Sequence, residues 1–405
     1  MLDTPEEKHE MGKAFVNFCT VVAVIAFLHP ASSNAIEFKG VNYANWWPPD
    51  GYSLPNSDQS LASAKDAGCQ WVAINVFWFQ DTINSTEIEP NYNMYSSYPS
   101  SVKHAVDRCH QLGMKVMLRP DLDLAHDPDH WRGQIVPSTA WFAEYHTFIN
   151  YWADFAEQND VDIFSIGAEL VATSGWASSW RAVASDARTH YSGPIIYGAN
   201  WGDEQNISWW DALDYIGIDA YYPLTDHNNV TLSELTAAWN SRANSIQSWR
   251  NAYWPNKYII FNEAGYGSFD GTNKIPWANP SLFALDLNEQ NDCYKALLSV
   301  CTTRNWWKGV FWWMWETDPN AGGLTDKYFT PQRKPAEEIM SSYYITITGD
   351  LDDDRDVDIY DVALFCNYWP DPNIVGWPDF NNDKKANFTD FAMLAANWRQ
   401  SIPPP

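Results

Sequence analysis

Residues 162–170, DIFSIGAEL, and residues 257–268, KYIIFNEAGYGS, decide how this chain folds. Each contains a short run of β-branched and aromatic residues bounded by polar or Gly-containing sequence, as expected for a parallel strand covered on both faces. Each run ends on a glutamate, Glu169 in the first and Glu263 in the second. A carboxylate has no place in the core of such a strand, because an isolated buried charge is costly. If both strands belong to one barrel, both side chains project at its C-terminal rim, where the loops of such barrels build active sites.

Working outward, apolar runs alternate with amphipathic or Ala-rich stretches from Ile36 to about Tyr344. Eight runs read as strands: Glu37–Asn42, Trp71–Phe77, Lys115–Arg119, Asp162–Gly167, Pro194–Gly198, Tyr215–Asp219, Lys257–Asn262 and Gly309–Trp313. Helical stretches fall between them, among them Asp58–Ala67, Ser100–Leu112, Thr139–Gln158 and Glu289–Thr302. Eight βα repeats of this size predict an α/β fold, a (β/α)8 TIM barrel with loop insertions. A doubly wound open sheet is the competitor, but no glycine-rich phosphate loop follows the first strand. The two glutamates end the fourth and seventh strands, which face each other across a barrel mouth. Long inserts at Asp121–Pro137 and Ser268–Pro280 are placed to shape a cleft there.

The chain has 405 residues and a formal net charge of -26, which excludes nucleic acid and anionic membranes as natural partners. Its 24 tryptophans and 21 tyrosines exceed the needs of a core this size, and rigid aromatic faces suit stacking on sugar rings. From Met11 a lysine precedes a short apolar stretch ending in Ser33-Asn34-Ala35, the pattern of a secretory signal cleaved near Ala35. The start is then Met1 or Met11, residues 1–35 are the signal peptide, and the mature protein is extracellular with no membrane attachment. A permanent anchor is the weaker reading, since a span needs roughly 20 apolar residues. Of the six cysteines, Cys19 lies in the leader, and Cys293 and Cys301 share one helix too far apart to bridge. A Cys69–Cys109 bridge stays open. No Cys/His cluster has zinc-ligand spacing, so a metal-dependent hydrolase is not expected.

Beyond Tyr344 the composition turns acidic, and GDLDDDRDVDIYDVALFCNYW (349–369) repeats as PDFNNDKKANFTDFAMLAANW (378–398). Each copy places oxygen-bearing side chains at the ligand positions of an EF-hand-type calcium loop and follows them with a helix-like stretch. Asp350, Asp352, Asp354, Asp356, Asp358 and Asp361 are the candidate calcium ligands of the first loop; Asp379, Asn381, Asp383, Asn387 and Asp390 are those of the second. Arg355 and Lys384 stand where such loops want Gly, and the last acid is Asp rather than Glu, which predicts weak binding. The domains are therefore 36–344, the barrel, and 345–405, a small all-α domain of paired EF-hand-like loops.

Two facing carboxylates are the minimum equipment for cleaving a glycosidic bond, one attacking the anomeric carbon and the other protonating the departing oxygen. Spacing alone leaves open which glutamate does which. No cofactor is needed for this chemistry. Further sugar-lining candidates stand at the strand ends: Trp78 after the second, Arg119 and Asp121 at the third, and Asn200 and Trp201 after the fifth. Tyr221 and Tyr222 follow the sixth, and Trp313 and Trp315 stand at the eighth. A tyrosine beside the nucleophile would hold it ionised and oriented, and a Trp face would floor the cleavage subsite.

The set Gly40-Val41-Asn42-Tyr43, Arg119-Pro120, Trp131-Arg132-Gly133, IGAEL (166–170), YGANW (197–201), IGIDAYYPL (216–224), EAGY (263–266) and FWWMW (311–315) resembles glycoside hydrolase family 113. The resemblance covers roughly residues 36–340 and implies a retaining barrel hydrolase of the β-mannanase type. It makes Glu169 the acid/base and Glu263 the nucleophile. Ala168 stands where most of the wider clan has Asn, which passes the contact to the substrate 2-hydroxyl elsewhere, with Asn200 the candidate. The acidic tail looks like a dockerin, which implies a cohesin-type scaffold as partner, although its Gly-lacking loops depart from the usual dockerin sequence.

The expectation is a secreted retaining endo-β-1,4-mannanase acting on mannan or glucomannan, with a calcium-binding tail. Two alternatives stand beside it: the same machinery on another β-linked glycan such as a glucan or galactan, and a catalytically idle glycan-binding scaffold protein.

Overall fold

The computed structural model describes residues 36–345, 348–351, 356–367, 369, 378–381 and 384–401. The predicted leader and three predicted calcium ligands, Asp352, Asp354 and Asp383, lie outside the described residues. Two compact units emerge, Ile36–Tyr344 and the described residues from Ile345 onward. No helix among the described residues is long and apolar enough to cross a membrane.

In the larger unit, β1 (Phe38–Ala44), β2 (Trp71–Gln80), β3 (Lys115–Leu124), β4 (Ile163–Ala168), β5 (Ile195–Asn200), β6 (Ile216–Asp219), β7 (Ile259–Ala264) and β8 (Trp307–Glu316) close into a barrel in chain order. All neighbours are parallel, and β8 closes the ring on β1 with Phe38 opposite Gly309. Strand residues serve two cores, which is why the runs are apolar throughout rather than alternating. Phe38, Trp71, Ala73, Met117, Ile163, Ile196, Ile260 and Phe311 form one buried cluster inside the barrel. Their neighbours Val72, Val116, Leu118, Phe164, Ile195 and Phe261 join the cluster shared with the helices. Truncating Leu118 to Ala in that outer layer is expected to cost about 2–5 kcal/mol.

The helices are α1 (Pro55–Asp66), α2 (Pro99–Gln111), α3 (Thr139–Gln158), α4 (Ala177–His190), α5 (Leu232–Tyr253), α6 (Leu287–Cys301) and α7 (Pro335–Tyr344). Their starts are written locally. Proline opens α1 and α2, where its missing N–H is no loss. Ser138 Oγ accepts the Trp141 N–H at 3.0 Å to cap α3, and Thr231 with Glu234 forms a capping box on α5. Trp141, Tyr145, Phe148 and Trp152 then recur at helical spacing on the buried face of α3.

Two details depart from the sequence reading. Strands β2, β3 and β8 run longer than predicted, so Arg119 and Asp121 lie within β3 rather than at its end. Between β5 and β6 the described chain contains no α-helix, only a 3-10 turn at Trp210–Ala212. Trp209 there stacks on Trp180 of α4 at 4.7 Å and 8°, and the two indoles cover the barrel where a helix was expected. Cys69, Cys109, Cys293 and Cys301 are all free and buried, so the Cys69–Cys109 bridge is absent.

The smaller unit holds α8 (Ile359–Asn367) and α9 (Phe388–Ala396). Leu351, Val357, Val362, Ala363, Phe365, Cys366 and Leu394 form its own core. The last acid of each acidic repeat turns back on its loop. Asp361 accepts the Leu351 and Asp358 N–H groups, and Asp390 accepts those of Phe380 at 2.9 Å and Asn387 at 2.9 Å.

Candidate active site

The strand ends bring their polar residues into one layer. Asn200 of β5 pairs in register with Asp219 of β6, and Asp219 pairs with Glu263 of β7. The last pairing follows a register shift, since Ile218 pairs with Phe261, so β7 inserts one extra residue before Glu263. Such a bulge re-aims the side chains that follow it. Glu169 leaves β4 with φ of 57°, a left-handed conformation that costs a non-glycine residue of order 1–3 kcal/mol. Its N–H donates to the Gly198 carbonyl at 2.8 Å, which fixes the turn and sends the side chain toward the mouth.

Arg119 organises the floor. Its guanidinium is fully buried, with Nη2 2.6 Å from Glu263 Oε1 and 2.9 Å from Asp219 Oδ2, and Nε 3.2 Å from Asp121 Oδ1. Burial opposes its charge, but the three carboxylates outweigh that effect. The Tyr221 hydroxyl donates to Glu263 Oε2 at 2.6 Å, so each oxygen of this carboxylate has its own cationic or hydroxyl partner. Burial still raises the Glu263 pKa, against the pull of Arg119 and Tyr221. Asp219 is raised further by burial, with Arg119 opposing.

Glu169 differs. Its surface is only half-buried, yet burial of its carboxyl, reinforced by the negative charge of Glu263, pushes its pKa up to about 7 against Arg132 and Arg119. Two carboxylates that feel each other's charge thus sit in different environments, one held by a cation and a hydroxyl, the other keeping its proton up to about pH 7. That is the arrangement which separates a proton donor from an ionised partner.

Both glutamates line a cavity of about 570 Å³, together with Trp131, Arg132, Asn200, Trp201, Tyr221, Trp277, Trp313 and Phe329. Of the residues singled out from sequence, Glu169, Glu263, Asn200, Trp201, Tyr221 and Trp313 therefore share one wall. Arg119 and Asp121 lie beneath it and act through their neighbours.

Three candidates are corrected. Trp78 packs on Phe148, Tyr151 and Trp152 of α3, because it falls on the outward face of β2. Trp315 is buried with Nε1 donating to Ser60 at 3.1 Å. Between Val41 and Tyr43 the register against β8 advances from Trp312 to Trp315, so three β8 residues span two of β1 and the side-chain alternation flips. Tyr222 points behind the wall, its hydroxyl on Glu204 Oε1 at 3.0 Å and its ring edge toward Trp201 at 6.1 Å.

Five residues were not singled out individually. Trp131 and Arg132 come from the insert after β3 and Trp277 from the insert after β7, both of which the sequence marked as cleft-shaping. Asp219 carried the same signal as the glutamates, an acid closing an apolar strand. Phe329 sits in the long loop after β8 and had no sequence signal.

Among the described residues, two acidic groupings have metal-like geometry. The carboxylates of Asp356, Asp358 and Asp361 offer oxygens within 4.8 Å of one another, a donor set that fits a hard cation such as calcium. Asp270, Asp286 and Glu289 do so too, and Glu289, like Asp361 in the first grouping, also accepts two backbone N–H groups, from Gly271 and Asn273 at 2.8 and 2.9 Å. Asp286 likewise caps α6.

Among curated proteins none matches the chain. Solved structures do. One described as a complex of a family 113 β-1,4-mannanase is 24% identical, covers 77% of this chain and 99% of its own, and has a TM-score of 0.68. A second family 113 β-1,4-mannanase is 25% identical over 76% and 99%, at 0.67. A third, the β-mannanase AaManA of Alicyclobacillus acidocaldarius in complex with ManMIm, is 22% identical over 77% and 97%, at 0.67. Residues 41–332 match the profile of Glycoside Hydrolase Family 113. The chain belongs to that family and is a glycoside hydrolase.

Proposed function

We propose that the protein is a retaining endo-β-1,4-mannanase in which Glu263 is the nucleophile and Glu169 the acid/base. The observation that carries this reading is the unequal treatment of the two carboxylates. Arg119 and Tyr221 hold Glu263 from both sides, whereas burial and the Glu263 charge keep a proton on Glu169. Glu263 attacks the anomeric carbon as Glu169 gives its proton to the departing glycosidic oxygen, leaving a glycosyl ester on Glu263. Glu169, now ionised, takes a proton from water, which attacks the same carbon and releases Glu263. Trp313 floors the sugar between them, and Asn200 binds the 2-hydroxyl that Ala168 cannot reach.

Mannan or glucomannan is the proposed substrate, supported by the similarity to solved β-1,4-mannanases. The test is reducing-end release over a panel of mannan, glucomannan, β-glucan and β-galactan. Release from glucan or galactan alone would overturn the mannan assignment, and binding without release on every glycan would favour the idle scaffold.

The chain is also proposed to be secreted and to bind calcium through its tail, with Asp350, Asp356, Asp358 and Asp361 in one loop and Asp379, Asn381, Asn387 and Asp390 in the other. Bound calcium would neutralise these clustered acids. A cohesin-type scaffold is the proposed partner of that unit. Calorimetric titration of the whole chain with calcium tests the first step: no heat and no gain of helicity removes the claim.

A further inference from the structure

The insert after β3 places an indole on the cavity wall by an arrangement with no evident structural purpose. Trp131 is 42% exposed, yet it lines the same cavity as Glu169 and Glu263. A large apolar ring left in water within a cavity is unfavourable for the isolated protein, and such rings mark binding surfaces. Its position is fixed from three sides. The Trp131 backbone N–H donates to Gln134 Oε1 at 3.2 Å. The next residue, Arg132, ties the turn to the end of β3, with Nη2 3.1 Å from Asp123 Oδ2 and Nη1 3.4 Å from Asp121 Oδ1. Asp123 is itself steadied by the Tyr95 hydroxyl at 2.8 Å.

The third constraint is Gly133. A Cβ there would lie 2.3 Å from the Trp131 ring, a distance no real contact tolerates. The indole therefore occupies space that only a glycine leaves open. Among the described residues no aromatic ring packs on Trp131, whereas Trp277 has one face stacked on Trp201 at 5.1 Å and 20°.

Topology separates these two aromatic elements. Trp131 hangs from β3 and Trp277 from β7, and in a closed ring of eight strands those are diametrically opposed. The two glutamates line the same cavity as both.

We propose that Trp131 is a substrate-stacking residue, held in place by Gly133 and Arg132, which binds a sugar on the side of the scissile bond opposite the Trp201–Trp277 pair. The ligand class is a β-linked hexose chain, whose axial C–H groups present an apolar face to an indole. This inference rests on the reading of the cavity as a mannanase site.

The test uses the full chain carrying Glu169→Gln, with β-1,4-mannohexaose as probe and calorimetric affinity as readout. Trp131→Leu keeps apolar bulk but loses the flat ring, Trp131→Phe restores a ring, and Gly133→Ala keeps the indole but displaces it. Expected are roughly tenfold weaker binding for Trp131→Leu and Gly133→Ala, and a loss within about threefold for Trp131→Phe. Trp131 is exposed, so the melting temperatures of Trp131→Leu and Trp131→Phe should stay close to that of the parent. Trp131→Leu binding as tightly as the parent overturns the stacking role, while wild-type release of reducing ends from mannan keeps the mannanase reading intact. If the parent binds no mannohexaose, the mannanase reading falls and this role falls with it.

Discussion

Arg119 and Glu263 meet inside the barrel mouth, Nη2 of one 2.6 Å from Oε1 of the other. The same guanidinium also pairs with Asp219 and Asp121, and of these three buried carboxylates Asp121 also meets Arg132, at 3.4 Å. A buried ion pair adds little net stability when whole, but removing one partner leaves charge without compensation.

Replacing Arg119 by Leu is accordingly expected to cost about 3–5 kcal/mol, read as a lower urea midpoint. Asp219→Asn should cost less, because Arg119 keeps Asp121 and Glu263. Equal stability of wild type and Arg119→Leu would contradict the charge balance described here.

Glu169→Gln and Glu263→Gln should each lower turnover on polysaccharide by several orders of magnitude while leaving the barrel folded by circular dichroism. Their roles separate on an aryl glycoside whose leaving group needs no proton. Glu169→Gln should still release the aryl group, since attack by Glu263 survives, whereas Glu263→Gln should release none. Retained polysaccharide activity in either variant would sink the assignment.

Much of this was legible because each element obeys a local rule. The eight strands are continuous apolar runs, and the two glutamates violate that pattern where a barrel puts its chemistry. What was hidden depends on register. Trp78 and Trp315 lie near the ends of β2 and β8, but which face a strand residue takes is set by pairing, and the extra β8 residue opposite Val41–Tyr43 turns Trp315 outward. Asp219 closes an apolar strand as the glutamates do, but its pairing with Arg119, 100 residues away in sequence, was not legible. The missing helix between β5 and β6 reflects tertiary packing, in which stacked Trp180 and Trp209 cover the barrel.

Tyr221→Phe removes only the hydroxyl that donates to Glu263 Oε2. A hydrogen bond to a charged group contributes about 1.5–3 kcal/mol, so turnover should fall about ten- to a hundredfold. Because this hydrogen bond also holds the Glu263 pKa down, the acid limb of the pH profile should move to higher pH. An unmoved acid limb would mean that Tyr221 orients the sugar rather than the carboxylate.

The raised pKa of Glu169 links both activity and stability to pH, and both should fall as its proton is lost. Activity requires its proton, so the rate should fall as pH rises through about 7, and fall again on the acid side as Glu263 takes up a proton. Because the two groups feel each other's charge, these limbs report the pair. For stability, a carboxyl whose folded pKa lies above its unfolded value near 4.5 binds its proton more tightly when folded. Ionising it therefore destabilises the fold progressively between about 4.5 and 7, and above that the loss is complete. Glu169→Gln removes the titration, so the variant should melt higher than wild type at pH 8 and lose that advantage at pH 4. A melting difference of the same size at both values would show that Glu169 is not protonated preferentially by the fold, and its role as proton donor would lose its physical basis.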